Sequence, residues 1–580
     1  MGAPSNAISP VDAEWFAAEL EPNLKVPCMH GQFVTLAMMI ACIALVVPND
    51  AIGQSAVSSL ASWSCKPGET TLVAVNGKDL SSDLRVQASD SRVQLQLEKV
   101  EPLQAILSVK VSSEVPHGPI GLFFSTKDGP QLPQVILVDD LPGLKNNQTN
   151  HSRTAALSMT VPCSADGTSD GPLSHFYQFE AQAGQRLSFE VITQALRSKM
   201  DPLMQLTDAA GKVLFTSDDD EIGPECRASH VFATDGNYWL EIRDSRFVKG
   251  GTYHLRIGDF PILSHAFPLA VQRGTSSTLQ FYGLDGALVD PSEVRMPEET
   301  VQSLTIAVKK RGGSASTWLN VLAQDAVQVL ESPVSTGEPN EQLIRQIPIG
   351  ISGRLSEREQ RDCHWIRGIK GQVVRFLSRT RSLGCATVLR MELYDSAHKK
   401  LIETKVADND EWSFDFTFPE DGNYCLEVTD LLQRGGESFG YWIGIVPSGS
   451  FAIELKAVAS TKESFAIETG QGIAQIDLTI NRFGYEGEIQ LSLPGEATDV
   501  NLINPRIPAK AKEWKLLMIG NTTWSAGSFH PLRLNASAAT DPSIRSRIGS
   551  SELHRVLDPQ ILFPHHPISG GQWCKANLLR

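Results

Sequence analysis

HFYQFEAQAGQRLSFEV, DPLMQLTDAAGKVLF and FATDGNYWLEIRD follow one another between His175 and Asp244. DCHWIRGIKGQVVRFLS, VLRMELYDSAHKKLI and FPEDGNYCLEVTD follow in the same order between Asp362 and Asp430. Gly184 matches Gly371 and Asp208 matches Asp395, both 187 residues on, and Asp235-Gly236-Asn237-Tyr238 returns as Asp421-Gly422-Asn423-Tyr424 at 186. Landmarks kept in this order and spacing mark an internal repeat. Inside each copy apolar and polar residues alternate. Leu187, Phe189 and Val191 fall on one face of a half-buried strand, as do Tyr238, Leu240 and Ile242, and then Tyr424, Leu426 and Val428. All nine are expected in sandwich cores. Asp-Gly before the last strand supplies a turn in which glycine accepts positive φ. Ala209-Ala210-Gly211 and Ser396-Ala397-His398 join hairpins, with the second turn expected to be looser for want of the glycine.

A second repeat precedes each copy. GETTLVAVNG from Gly68 to Gly77 parallels GTSSTLQFYG from Gly274 to Gly283. The order is therefore module A, module B, module A, module B, followed by a region with strands of the same style at Ser450–Leu455, Ala474–Ile480 and Gly487–Leu493. Strands ten to twenty residues apart fit a sandwich. The fold class is all-β: a tandem array of about five β-sandwich modules, jelly-roll-like or Ig-like, behind an N-terminal signal segment. The boundaries read as 1–53, 54–140, 141–260, 261–345, 346–447 and 448–545, with an irregular tail over 546–580.

Composition agrees with several buried cores. Of 580 residues, 41% are hydrophobic and 20% charged, too apolar for a disordered chain. Acidic residues outnumber basic ones 66 to 51, a formal charge of −15, which repels phosphate backbones and argues against nucleic acid. Phe33 to Val47 is an uninterrupted apolar run of 15 residues, short of the roughly 20 that span a bilayer. It suits the core of a secretory signal, with Ala51 and Gly53 ahead of a cut before Gln54. A buried helix and an uncleaved anchor are the alternatives, and Met29 is a possible start. The reading is export, to a secreted, periplasmic or cell-surface location, with membrane contact only through this segment if it stays uncleaved.

Seven cysteines follow the cut: Cys65, Cys163, Cys226, Cys363, Cys385, Cys425 and Cys574. None forms a CxxC pair, so neither zinc-ribbon nor thioredoxin-like chemistry is indicated. In an oxidising compartment an odd total leaves at least one unpaired or intermolecular, and the spacing leaves connectivity open.

The residues of the two B modules resemble the bacterial pre-peptidase C-terminal domain. Tyr177-Gln178-Phe179, Ala183-Gly184-Gln185, the hairpin from Leu206 to Leu214, the acidic run Asp218-Asp219-Asp220 and the strand from Asp235 to Asp244 carry the resemblance. The second copy keeps Gly371-Gln372, Asp395 and the Asp421 strand, with His364 and Ile366 at the aromatic positions and His398 at the glycine. The match covers about 200 of 580 residues. The A modules resemble Ig/TIG-type sandwiches. The resemblance implies small jelly-roll-like sandwiches of the sort found beside secreted subtilisin-like proteases and in other exported proteins.

Protease motifs are missing. Gly167-Thr168-Ser169 lies in what reads as a polar linker, without the helix that a subtilisin-like serine requires. No GxSxG, HExxH or P-loop motif occurs. His565-His566 with Cys574 reads as a polar tail, not a metal cluster. The chain is expected to be no enzyme. It reads as an exported non-catalytic protein that binds an extracellular protein or polysaccharide or acts as a structural spacer. The alternative is the accessory region of a secreted subtilisin-like proteinase whose catalytic domain is absent. Trp239, Trp412 and Trp442 are candidates for stacking on sugars, against half-buried sheet residues as the simpler reading. No cofactor is required by any motif. Asp218, Asp219, Asp220, Asp408 and Asp410 are candidate calcium ligands, since Asp-x-Asp places two carboxylates on one side of a loop. A solvated acidic loop is the plainer reading.

Overall fold

The computed structural model describes residues 56–548 and 572–577, apart from 127–128, 132–133, 147, 220–222, 224, 284–288, 299–302, 309–312, 332–342, 405–410, 412, 448, 456–463, 469–472, 494–499, 521–528, 533 and 543. The expected signal segment Phe33–Val47, the expected cut at Ala51 to Gln54, and His565-His566 lie outside the described residues. Among those described, no helix is long and apolar enough to cross a membrane. Among the described residues regular structure is all-β, with three short 3₁₀ turns.

Module A1 packs the sheet Val57–Leu60, Thr70–Gly77, Gln104–Val111, Val93–Glu101 on the sheet Ser64–Cys65, Gln134–Val138, Gly118–Thr126, Arg85–Ala88. Module B1 packs Gly143–Leu144, Cys163–Asp170, Lys249–Gly258, Arg186–Ile192, Cys226–Val231 on Leu157–Met159, His175–Ala181, Gly236–Asp244, Pro202–Thr207, Val213–Ser217. Module A2 spans Leu263–Phe267 to Leu319–Gln324 in two three-stranded sheets. Module B2 repeats B1, from Val327–Leu330 to Gly440–Pro447. A fifth module runs from Ser450–Leu455 onward around Leu478, Ile489, Leu516 and Met518.

The alternation sorts residues as expected. Leu187, Phe189, Val191, Tyr238, Leu240 and Ile242 lie in the B1 core, and Tyr424, Leu426 and Val428 in the B2 core. The strand Arg186–Ile192 departs from the half-buried pattern, because Ser188 and Glu190 on its other face are also fully buried. Neighbouring modules cover that face.

Several local readings change. Gly167-Thr168-Ser169 is not a linker: it lies within Cys163–Asp170, paired antiparallel with Lys249–Gly258. Gly167 sits opposite Tyr253, where an added Cβ would come within 2.2 Å of the Tyr253 ring, and Gly353 stands in the same relation to Tyr441. The glycines make room for a buried tyrosine. Gly236 and Gly422 begin strands without positive φ. Asp235 and Asp421 hold that turn instead, accepting from Ala183 N at 2.7 Å and Lys370 N at 2.6 Å. The hairpin at His398 is no looser than that at Gly211. Asp208 accepts from Ala210 N and Lys212 N at 2.9 Å, Asp395 does the same for Ala397 N and Lys399 N, and both turn tips adopt positive φ. His398 bears that conformation while its ring stacks on Tyr394 at 4.5 Å. The tail is not wholly irregular. Arg545–Ile548 pairs with Leu534–Ala538, and Gln572–Asn577 joins Ser464–Glu468 and Phe529–Leu532, pairings that need only backbone complementarity and leave little hydrophobic pattern to read.

Candidate functional site: the junctions between modules

The candidate calcium residues are only partly visible. Asp218 and Asp219 are exposed, whereas Asp220, Asp408 and Asp410 lie outside the described residues. Among the described residues no group of three acidic, histidine or cysteine side chains is placed to hold a metal. Glu411, which closes the second acidic run, is committed elsewhere: it accepts from Thr380 N and Ser382 N at 3.0 Å and so caps a 3₁₀ turn. Its counterpart in B1 is Glu225, accepting from Thr193 N and Gln194 N at 2.9 and 2.8 Å. The motif aspartates serve turns too. Asp244 accepts from Asp201 N, Arg246 N and Val248 N, and Asp430 from Val388 N, Leu432 N and Arg434 N. The motif is architecture.

The aromatic candidates are covered as well. Arg153 lies over the Trp239 ring at 4.2 Å, while Trp239 Nε1 donates to the Arg153 carbonyl. Trp442 is buried and donates to Gln328 Oε1 at 2.9 Å. Trp412 lies outside the described residues. Ser169 is buried, donating to the Val248 carbonyl and accepting from Gly251 N, so it is no nucleophile in waiting.

What the fold does concentrate is charge at the meeting of A1, B1 and A2. Two strands of B1 bring Asp166 opposite His254 and Glu190 opposite Arg256, and A1 ends in Asp139 and Asp140 beside them. His254 Nε2 lies 2.8 Å from Asp139 Oδ2, and Nδ1 lies 2.7 Å from Asp166 Oδ1. A carboxylate on each ring nitrogen requires both protons, so the ring is an imidazolium. Burial opposes that charge, but the two carboxylates outweigh it and raise the pKa to about 9. Arg256, with no exposed surface, donates to Asp139 at 3.2 Å, Glu190 at 2.9 Å and the Ala315 carbonyl of A2 at 2.8 Å, and lies over Phe260. Asp139 is buried too, yet Arg256 and His254 hold its pKa far below the usual range. Asp166 reaches into A1, accepting from Trp63 N at 3.0 Å and Ser64 N at 3.2 Å, and Asp140 accepts from Ala315 N at 3.1 Å. Beside it His117 donates to the Val138 carbonyl at 2.6 Å, and burial pushes its pKa down to about 3. Three modules share one ionic knot.

The A2–B2 junction repeats this geometry in other chemistry. Ser352 faces Trp442 and Leu377 faces Gly444, at the positions of Asp166, His254, Glu190 and Arg256. Leu269 N donates to Ser352 Oγ as Trp63 N does to Asp166, and Leu322 N bonds the Leu269 carbonyl as Leu137 N bonds that of Trp63. Leu269, Ala270, Leu383, Cys385 and Trp442 then form an apolar cluster. Sequence reading missed the first knot because Glu190, in an alternating strand, looks solvent-facing. The run of Asp139-Asp140 at the end of A1 and the charged alternation of His254 and Arg256 were the available signals.

Cys363 and Cys425 are joined by a disulfide across neighbouring strands, with Cα atoms 5.9 Å apart. Cys65, Cys163, Cys226 and Cys385 are free and buried, and burial pushes the Cys65 and Cys163 thiols up to about 12. The side chain of Cys574 is outside the described set.

No family model matches the chain, and no curated protein matches it. Among solved structures it is similar to the pre-peptidase C-terminal domain of a collagenase from Bacillus anthracis, at 16% identity over 19% of this chain and 99% of that one, TM-score 0.16. It is similar to a Bacteroides ovatus mixed-linkage glucan utilization locus protein, SGBP-B, at 10% identity over 67% and 73% of the two chains, TM-score 0.13. It is also similar to the secreted serine protease VesC from Vibrio cholerae, at 13% identity over 34% and 50%, TM-score 0.13.

Proposed function

We propose that the chain is an exported, non-catalytic spacer that holds its sandwich modules at set angles for an extracellular protein or polysaccharide partner. The observation that carries this reading is the buried knot of Asp139, Asp166, Glu190, His254 and Arg256, which ties three modules through charged groups that cannot separate without exposing or stranding one another. Ordinary linkers between domains leave them free to move, and such a knot serves rigidity. The motif aspartates are used on turns, and Trp239 and Trp442 are covered, which favours spacing over glycan stacking by these residues. The Cys363–Cys425 disulfide supports an oxidising compartment.

Spin labels at Lys110 in A1 and Lys212 in B1, both exposed, test the reading. The buried free thiols compete poorly for the label. One narrow interspin distance is expected, broadening in Asp166→Ser, whereas a broad distribution in the unaltered protein overturns it.

A further inference from the structure

Each B module buries a tyrosine that collects polar partners inside the sandwich. In B1 Tyr253 bonds His175 Nδ1 and the Tyr177 hydroxyl, the latter at 2.6 Å, and Asn146 Nδ2 donates to Tyr177 at 3.1 Å. Every hydrogen bond within that set can form between neutral groups. The B2 counterparts are Tyr441, Asp362, His364 and Glu331, and here the proton count differs. The Tyr441 hydroxyl lies 2.9 Å from Glu331 Oε2, 2.8 Å from Asp362 Oδ2 and 2.9 Å from His364 Nε2. It has one proton to give. If it donates to Asp362, and neutral His364 donates to it, Glu331 can close the set only by carrying a proton of its own.

Glu331 stands directly after the strand Val327–Leu330, which leads the chain from A2 onto the edge of B2. Its backbone N donates to the Ser352 carbonyl at 2.9 Å, and its other carboxyl oxygen accepts from Arg354 N at 2.7 Å. The charged and titratable groups around it, among the described residues, are Asp362 and His364 on one strand, Tyr441 on another and Arg354 on a third. The Arg354 guanidinium turns away, to Ser356 Oγ at 3.2 Å and over the Tyr282 ring. Among the described residues no cation therefore offsets a second carboxylate in the cluster.

We propose that Glu331 is a proton-operated latch: its protonated carboxyl holds the strand Val327–Leu330 on B2, and loss of that proton sets two carboxylates against one phenol and loosens the strand. Burial, and next the neighbouring Asp362, raise the Glu331 pKa from 4.5 to about 8, while burial lowers that of His364 to about 4, keeping it neutral. An acid whose folded pKa is raised favours the folded state most at low pH, and the advantage disappears as pH rises from the unfolded value to the folded one. The latch is thus tight in acid, weakens between about pH 4.5 and 8, and changes no further above that. B1 has Asn146 at this place and no such latch. The latch concerns one strand and does not depend on the spacer reading, which the interspin distance tests separately.

Amide hydrogen exchange of the full chain, corrected for intrinsic rates, tests it over Val327–Leu330 and Ile349–Arg354. Opening of these strands is expected to rise by about tenfold per pH unit across the window. Glu331→Gln is expected to abolish the rise and keep the strands protected throughout. Asp362→Asn, the second variant should the first fail to fold, is expected to end the rise at lower pH and make it smaller, since only the folded pKa moves. Infrared spectra are expected to show a protonated buried carboxyl at pH 6 that Glu331→Gln removes. A pH-independent wild type, or an unchanged pH dependence in both variants, overturns the proposal.

Discussion

Asp166, Glu190, His254 and Arg256 in the first B module have Ser352, Leu377, Trp442 and Gly444 as their counterparts in the second. The backbone at the two junctions is the same, down to the A-module amide that bonds Asp166 in one and Ser352 in the other. One is held by buried ions and the other by apolar packing. The lesson is that the docking geometry belongs to the sheets, and the side chains only have to satisfy one another. Ionic satisfaction is conditional, since removing one member strands the rest, whereas an apolar cluster loses only its own buried area.

Arg256→Met gives the largest expected effect. It leaves Asp139 and Glu190 buried beside a neutral chain, and should cost about 3–5 kcal/mol, read as a drop in the B1 transition on chemical denaturation. Gly444 shows that the position needs no charge, so Arg256→Met combined with Asp139→Asn, Glu190→Leu and Asp166→Ser should recover much of the loss. Failure to recover would mean that the ions do more than fill the junction.

The disulfide sharpens the comparison next. Phe176 and Trp239 occupy in B1 the places of Cys363 and Cys425 in B2. Cys363→Ala with Cys425→Ala should destabilise B2 by about 2–4 kcal/mol, and a reductant should lower the B2 transition while sparing B1. Equal sensitivity of both modules would contradict the pairing.

Smaller, and specific to the first junction, is an alkaline loss. His254 has its folded pKa raised to about 9 from 6.5, so its contribution is complete below 6.5 and fades as pH rises toward 9. The spread of Lys110–Lys212 interspin distances should widen over that window, and His254→Trp, which installs the residue of the second junction, should make it pH-independent. The A2–B2 junction has Trp442 in place of this histidine, and its own pH dependence, through Glu331, is complete by about pH 8.

The smallest effect concerns the acidic loops. With Asp218 and Asp219 exposed and Glu225 and Glu411 spent on 3₁₀ turns, millimolar calcium should move the melting temperature by no more than about a degree. A rise of several degrees that vanishes in Asp218→Asn with Asp220→Asn would identify a calcium site there.

The sequence by itself determined the all-β class, the paired repeat and the core face of three B strands. Those follow from local spacing: period-two alternation places Leu240 and Leu426 inward whatever lies around the module, and a turn needs its Asp within a few residues. Its errors were also local. A missing glycine suggested a loose turn at His398, where Asp395 supplies the missing restraint through two amides. The tertiary structure alone decided which outward residues remain outward. Glu190 and Ser188 alternate correctly yet are buried, because A1 and A2 close over the second face of their sheet. It also decided that Glu331 and Asp362, 31 residues apart in the chain, share the hydroxyl of Tyr441. Pairings of this kind depend on how separate sheets meet, and no periodicity within one strand encodes them, since the energy that selects them comes from burying and mutually satisfying polar groups across module boundaries.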